Sequence, residues 1–393
     1  MPLHRADPAA VIALTEQLIA IESHKAVPGR ETAVGRFLEG WFRERGIDAR
    51  LEPVVDDRAN VIVRVGGRSG PTVLLNGHVD TVPAGNMENA FLPTIRDGIL
   101  RGRGACDMKG AIAAMCCAVA SIATQADQLQ GELLFVGTVD EETGGLGVKA
   151  LLESGLRADY AVVGEPTCLR IAVGHKGSCF VRVTLYGKGA HGSCPEKGVS
   201  AVRGAAQLVR LLEEDLAVQL QERTHPLLGQ STVSIGRVCG GSQPNIVAEQ
   251  CEIDIDRRTL PGERDVLPEV REYVESVCRA IPGLSYDIRE MAMTAIVPHT
   301  PLSTPVDSPL AVAAIESARS LGLPADPVGV TYWTDGGHLG ANGIETIVVG
   351  PGDIANAHGP DDQVRVEELA QAAALYAGIV ERLIVDREEK ESR

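Results

Sequence analysis

Aromatic residues are scarce in this chain, at 3%, and the nine cysteines include no C-x-x-C pair. A disulfide-stapled mini-protein is therefore not expected, and free thiols in a reducing cytosol are the simplest account of the cysteines. No stretch of about 18 apolar residues runs free of charge, so no membrane-spanning helix is expected. Lys and Arg together number 37 against 53 Asp and Glu, a formal charge of −16, and no basic tract occurs. This balance argues against nucleic acid and against an anionic membrane surface as partners. It leaves small acidic substrates open, because one or two local Arg suffice for them. The segment Met1–Asp7 lacks the apolar stretch of a signal peptide. These absences predict a soluble, cytoplasmic protein.

What is present is a chain of 393 residues, 44% apolar. That length allows two or three domains of about 150 residues and a large buried core. Helical spacing of apolar residues runs from Asp7 to Ile21 and from Glu31 to Arg45, where Gly46 stops it. Ala59–Val65, Thr72–Leu75, Leu133–Val136, Tyr160–Val163 and Thr346–Val349 read as strands. Gly110–Ala126 reads as a buried, Ala-rich helix. Alternating strands and helices predict an α/β domain with a largely parallel central sheet. Past Gly177 the pattern changes to period 2, in Phe180–Tyr186, Ser231–Val238 and Glu252–Asp256. With helical runs at Val199–Leu216 and Arg264–Ala280, this predicts an α+β insert with an exposed sheet edge. Pro298–Pro309 holds four prolines and reads as a linker back to the first domain. Helices are expected at Leu310–Leu321 and Val366–Ile384, and the charged tail Asp386–Arg393 is expected to fray. The expected domains are residues 1–177 and 295–393 for the α/β part and 178–294 for the insert.

Five short segments concentrate His, Asp and Glu at strand ends or loops: Gly77–Pro83, Gly102–Gly110, Thr138–Gly145, Gly164–Thr167 and Ala357–Asp362. Each has a plainer reading alone. His78 and Asp80 could sit in a solvated turn, and Asp107 could cap the Ala-rich helix. Asp140, Glu141 and Glu142 could form an acidic loop, and Glu165 and His358 could be exposed. The Gly102–Gly104 pair lacks both the third Gly of a dinucleotide fingerprint and the Gly-Lys-Ser/Thr of a phosphate loop. Read together, four of the five directly follow expected strands, where open α/β sheets place their ligands. Mixed His and carboxylate sets suit zinc, and less often cobalt or manganese.

The ordered series GHVDTVP, GRGACDMKG, TVDEETGG, GEPT, GKGAHGS, Gln243-Pro244-Asn245, RRTLPGE and AHGPDD resembles a known family over nearly the whole chain. That family is the dinuclear zinc amidohydrolases and peptidases of acetylornithine deacetylase, succinyl-diaminopimelate desuccinylase and related carboxypeptidases. The resemblance implies a zinc-peptidase-like catalytic domain with an inserted dimerisation (lid) domain, two divalent metal ions, and a homodimer. It implies that His78, Asp107 and Glu165 hold one ion, that His358, Glu142 and Asp107 hold the second, and that Asp107 bridges. Asp80 is the implied partner of His78, Glu141 the implied general base, and a cis peptide is implied at Asp107–Met108. His191 is the implied oxyanion donor, contributed by the insert of a partner subunit. Arg258 is the implied grip on a substrate carboxylate, with Asn245 and Gly350 lining the pocket. The Tyr332–Asp335 segment lies where relatives shape that pocket.

The implied activity is hydrolysis of the amide bond of an N-acyl amino acid by a metal-activated water, as in acetylornithine deacetylase. A desuccinylase, or a dipeptidase or carboxypeptidase, would use the same set. Two other classes are an inactive, metal-free binding relative and a thiol hydrolase built on Cys106. The first requires lost ligands and the second a nearby base, and neither condition is met in the sequence. The departures from many relatives are the stretch Ala84–Pro93, shorter and without Trp, and Asp362 where they carry Glu.

Overall fold

A computed structural model describes residues 7–67, 69–263 and 265–385. The tail Asp386–Arg393 and Arg264, the expected start of a helix, lie outside them. The chain divides into two compact units. The first comprises residues up to Gly174, Leu302–Val330 and Thr334 onward; the second comprises His175–Pro301 and Thr331–Trp333. The limits of the second lie a few residues outside the expected 178–294.

The first unit is built on a nine-stranded mixed sheet. Its order is Asp48–Val55, Arg58–Gly66, Glu132–Thr138, Thr72–His78, Tyr160–Val163, Glu345–Val348, Ala172–His175 and Leu302–Ser303, with Val328–Val330 also paired to Ala172–His175. The four central strands run parallel, and the flanking pairs run antiparallel. The parallel strands read as unbroken apolar runs because both faces are covered. Leu133, Leu134, Phe135 and Val136 are all fully buried, each contributing about 1.5–3 kcal/mol of burial. Successive side chains alternate faces. Leu74, Leu134 and Val136 pack with Val148, Leu151 and Leu339 of the helices Leu146–Glu153 and Gly336–Ala341. On the other face Phe135 meets Phe42 of the helix Thr32–Arg43.

The Ala-rich helix spans Lys109–Ala123 and packs against Pro8–Ile19 and Val366–Ile384. Its small side chains, including Cys116, let neighbouring backbones approach closely. The expected Pro-rich linker is not wholly irregular. Leu302–Ser303 joins the sheet, and Ser308 caps the helix Pro309–Ser320 by accepting from Ala311 N at 3.3 Å.

One consequence of the parallel registers positions everything that follows. His78 lies opposite Thr138, Asn76 opposite Val163, and Val163 opposite Val348. The carboxyl ends of four adjacent strands thus reach one edge of the sheet.

The second unit is a four-stranded antiparallel sheet in the order Thr232–Gly240, Gln250–Thr259, Gly177–Tyr186, Ser285–Glu290. Val181, Val183, Leu185, Ile253 and Ile255 form its core with Leu208 and Leu212, and with Val270 and Val274 of the helix Val266–Ala280. The alternating residues Arg182 and Asp254 pair at 2.6 Å on the other face. The helical run expected at Val199–Leu216 is Ala201–Leu211, followed by a wider π turn at Leu212–Leu216.

Candidate metal centre

The loops at the strand ends of the first unit bring the five acidic and histidine-bearing segments together. His78 ends its strand with the ring buried at 2% exposure. Its Nδ1 lies 3.0 Å from the carbonyl of Asp80, and its Nε2 lies 3.0 Å from Asp107 Oδ1 and 3.6 Å from Glu165 Oε1. His358 Nε2 lies 3.2 Å from the other oxygen of Asp107, Oδ2, and 3.0 Å from Glu142 Oε2. Two donor sets result, His78–Asp107–Glu165 and Asp107–Glu142–His358, with the donor atoms of each within 4.8 Å of one another. Asp107 belongs to both and turns one oxygen to each.

The frame under this cluster explains the glycines in its motifs. The Asp107–Met108 peptide is cis, as the resemblance implies. Met108 is fully buried against Gly77 and Gly164, where an added Cβ would come within 2.5 Å and 2.8 Å of its terminal methyl. Its sulfur also accepts from the N–H of His78 at 3.3 Å. A side chain at either glycine would displace the Met108 methyl from this contact. Gly350 is equally crowded: a Cβ there would lie 2.1 Å from the carbonyl of Gly164. The carbonyl of Gly350 accepts from Thr167 and Leu169, so its backbone is engaged with the Glu165 loop.

Glu141 and Glu142 sit on a turn entered through Asp140, whose φ is 71°. The carboxylate of Asp80 accepts from Glu141 N at 3.2 Å and from Glu142 N at 3.0 Å. Asp80 thereby joins the His78 segment to the turn, a link that residue spacing alone did not reveal.

Electrostatics here oppose one another. Burial pushes the carboxyls of Glu141, Glu142 and Glu165 up from their usual range. Burial would also raise Asp107, but hydrogen bonds from His358 and His78 outweigh it and hold Asp107 low. Burial disfavours a proton on His78, yet Glu165, Asp107 and Asp80 hold that ring well above the imidazole range. His358 is raised to about 10 by its hydrogen bonds to Asp107 and Glu142. Among the described residues, Asp107, Glu142 and Glu165 pair with these histidines and with no Lys or Arg. Two imidazoles and three carboxylates in overlapping sets, without a fixed cation, fit a pair of divalent ions of the zinc type.

Two supporting acids, Asp362 and Asp335, carry no assigned role in the sequence. Asp362 is fully buried and accepts from Gly104 N at 2.7 Å, Cys106 N at 2.8 Å and Arg103 Nη1 at 3.1 Å. It ties the loop before Asp107 to the His358 segment, and burial pushes its carboxyl up to about 6. Its place in the Glu position of the last motif was the available signal. Asp335 accepts from Thr138 Oγ1 at 2.8 Å, and burial raises it to about 7. The Cys106 thiol is buried, donates to the carbonyl of Asp353, and is pushed up by burial, which makes it a poor nucleophile.

His191, Asn245 and Arg258 lie in the second unit. His191 is exposed; its Nδ1 lies 2.7 Å from Ser193 Oγ, and its backbone bridges to Ile246. Gly192 N donates to the carbonyl of Asn245 at 2.6 Å, so these two loops lie side by side. Arg258 is half-buried, bonded to Asp256 Oδ2 at 3.0 Å and centred 5.7 Å over the ring of Phe180. Trp333, from the Tyr332–Asp335 segment, stacks on His299 at 3.8 Å in the same unit.

The sequence profile of peptidase family M20/M25/M40 matches residues 74–382. An acetylornithine deacetylase of Myxococcus xanthus is 32% identical over 390 residues, covering 95% of this chain and 97% of its own. An M20 domain-containing protein of Schizosaccharomyces pombe is 30% identical over 377 residues, covering 94% and 84%. Among solved structures, a tripeptidase of Staphylococcus aureus superposes with a TM-score of 0.80 at 23% identity, covering 96% and 98%. A dinuclear metal-binding M20 peptidase of Bacillus subtilis superposes with a TM-score of 0.70 at 18% identity, covering 95% and 97%. At those identities the structures speak for the fold alone.

Proposed function

Since the chain belongs to peptidase family M20/M25/M40 and is a hydrolytic enzyme, we propose that it is a two-metal hydrolase cleaving the amide bond of an N-acyl amino acid. Acetylornithine is the first substrate to try, on the strength of the deacetylases about 30% identical to it. The observation that carries the reading is Asp107, turning one oxygen to each of two histidine–carboxylate sets.

His78, Asp107 and Glu165 would hold one ion, and Asp107, Glu142 and His358 the other. Bound there, the ions would polarise the amide carbonyl and lower the pKa of a water. Glu141 is adjacent to the sets yet outside both, so its carboxylate is free to work as the base. It takes the proton from the attacking water and delivers it to the departing nitrogen. His191, supplied from the insert of one protomer to the site of its partner, donates a hydrogen bond to the oxyanion of the tetrahedral intermediate. Arg258 pairs its planar guanidinium with the substrate carboxylate. Asn245 adds a polar contact, and Gly350 contributes shape. The second unit acts as a dimerisation (lid) domain, since Thr232–Gly240 is an edge strand paired on one side only.

The test is a screen of N-acetyl, N-succinyl and N-carbamoyl amino acids and of dipeptides against zinc-loaded protein. N-acetyl amino acids should give the highest kcat/KM, and a chelator should abolish turnover. Glu141→Gln should keep its zinc and lose about 100- to 10,000-fold in kcat. Ordinary turnover by that variant would overturn the assignment of the base.

A further inference from the structure

The turn that carries Glu141 and Glu142 is gripped at Asp140 as well as by Asp80, through a residue no motif contains. Arg58 opens the strand Arg58–Gly66 and is 6% exposed. Its Nε and Nη2 bind the two oxygens of Glu31, each at 2.7 Å. The same Nη2 reaches Asp140 Oδ1 at 2.6 Å. That oxygen also accepts from Thr143 Oγ1 at 2.7 Å and from Arg30 Nη1 at 3.2 Å. The carbonyl of Asp140 in turn accepts from the N–H groups of Thr143, Gly144 and Gly145.

We propose that Arg58, clamped between Glu31 and Asp140, is the positioning residue that aims Glu141 at the water and Glu142 at its metal. The proposal rests on the reading of Glu141 as the base.

Three observations carry it. Asp140 holds a left-handed backbone, which Asp tolerates but which needs an anchor to persist. Its side chain supplies that anchor, and Arg58 makes the shortest contact to it. The turn is thus held by a guanidinium on Asp140 and by a carboxylate on the two following N–H groups, with Glu141 and Glu142 projecting from between. Charge completes the argument. Asp140, Asp80 and Glu31 are buried acids, and a forked guanidinium serves two carboxylates at once where an ammonium serves one. Without Arg58, Asp140 becomes a buried, poorly compensated anion, and the turn can relieve it only by moving.

The experiment compares Arg58→Met, Arg58→Lys and Glu141→Gln in the full chain, reading kcat, KM, zinc content and melting temperature separately. Arg58→Met should lower kcat about 100-fold at little changed KM, the scale of a misplacement near 1 Å. Its affinity for the second zinc should fall about 10- to 100-fold, as for a lost support of a ligand. Arg58→Lys should recover part of kcat, because its ammonium still reaches one carboxylate. A lowered melting temperature with unaltered kcat and unaltered binding of both zincs would make Arg58 a fold residue and overturn the proposal. If Arg58→Met does not fold, Arg58→Lys and Asp140→Asn decide: kcat reduced at unchanged melting temperature supports it, and unchanged kcat in both overturns it. A dead Glu141→Gln beside fully active Arg58 variants refutes this proposal alone. An active Glu141→Gln refutes the reading beneath it.

Discussion

His78 in the first unit has an acceptor within 3.0 Å of each ring nitrogen and is almost wholly buried. His191 in the second unit is exposed, and among the described residues its ring bonds Ser193, two residues away. The same contrast separates Asp107, bound from both sides, from Arg258, which pairs with Asp256 on its own strand. Residues of the first unit thus meet partners from several distant segments. Those of the second unit are exposed or half-buried and bond near neighbours along their own segments, His191 to Ser193 and Arg258 to Asp256. The contrast sets the two donor sets of the first unit, beside which Glu141 also sits, apart from the exposed or half-buried side chains of the second.

The sharpest way to break that division is Asp107→Asn. One change touches both donor sets, so zinc should fall below one equivalent and kcat should drop by at least ~1000-fold. Elemental analysis of the purified variant checks it; two retained zincs would dissolve the shared-carboxylate picture. His191→Ala should cost about 100- to 1000-fold in kcat, the range of a lost oxyanion donor, with zinc content unchanged. A loss of metal there would place His191 in the wrong class.

Acid sharpens the comparison through stability. His338 is buried in the first unit and its pKa is lowered to about 4 by desolvation. The unfolded chain takes up that proton near pH 6.5, so it binds more protons than the native state between the two values. Stability is therefore full above about pH 6.5 and declines as pH falls toward 4, by of the order of 3 kcal/mol for a shift of this size. Urea melts of His338→Gln should show a shallower acid loss than the parent. Equal slopes would remove His338 from the account.

Arg258→Ala should have the smallest effect of the four. About 10- to 100-fold in kcat/KM should be lost for substrates with a free carboxylate, and almost nothing for their amides. Equal losses on both would show that Arg258 supports the fold rather than selects the substrate.

Tyr160–Val163 and Val366–Ile384 could be placed to the residue from their apolar patterns, because both are long or β-branched and deeply buried. The strand Asp48–Val55 could not, since it is a partly exposed edge carrying Glu52 and Pro53. The clustering of His78, Asp107, Glu142, Glu165 and His358 was readable because each follows a strand or stands in a His- or acid-rich loop. Arg58 was not, because its partners lie 27 and 82 residues away and nothing local marks it. Asp362, wholly buried, differs from its exposed neighbour Asp361 in the sequence only by its place in the last motif.

The contact of Met108 with Gly77 and Gly164 has a further consequence. It is carbon against hydrogen, carries no charge, and is indifferent to salt and to what occupies the space above it. The platform is thus an uncharged gauge for the spacing of the His78 and Glu165 segments. Emptying the pocket with a chelator should leave this gauge in place, so that adding the cations back restores the enzyme without a cycle of refolding.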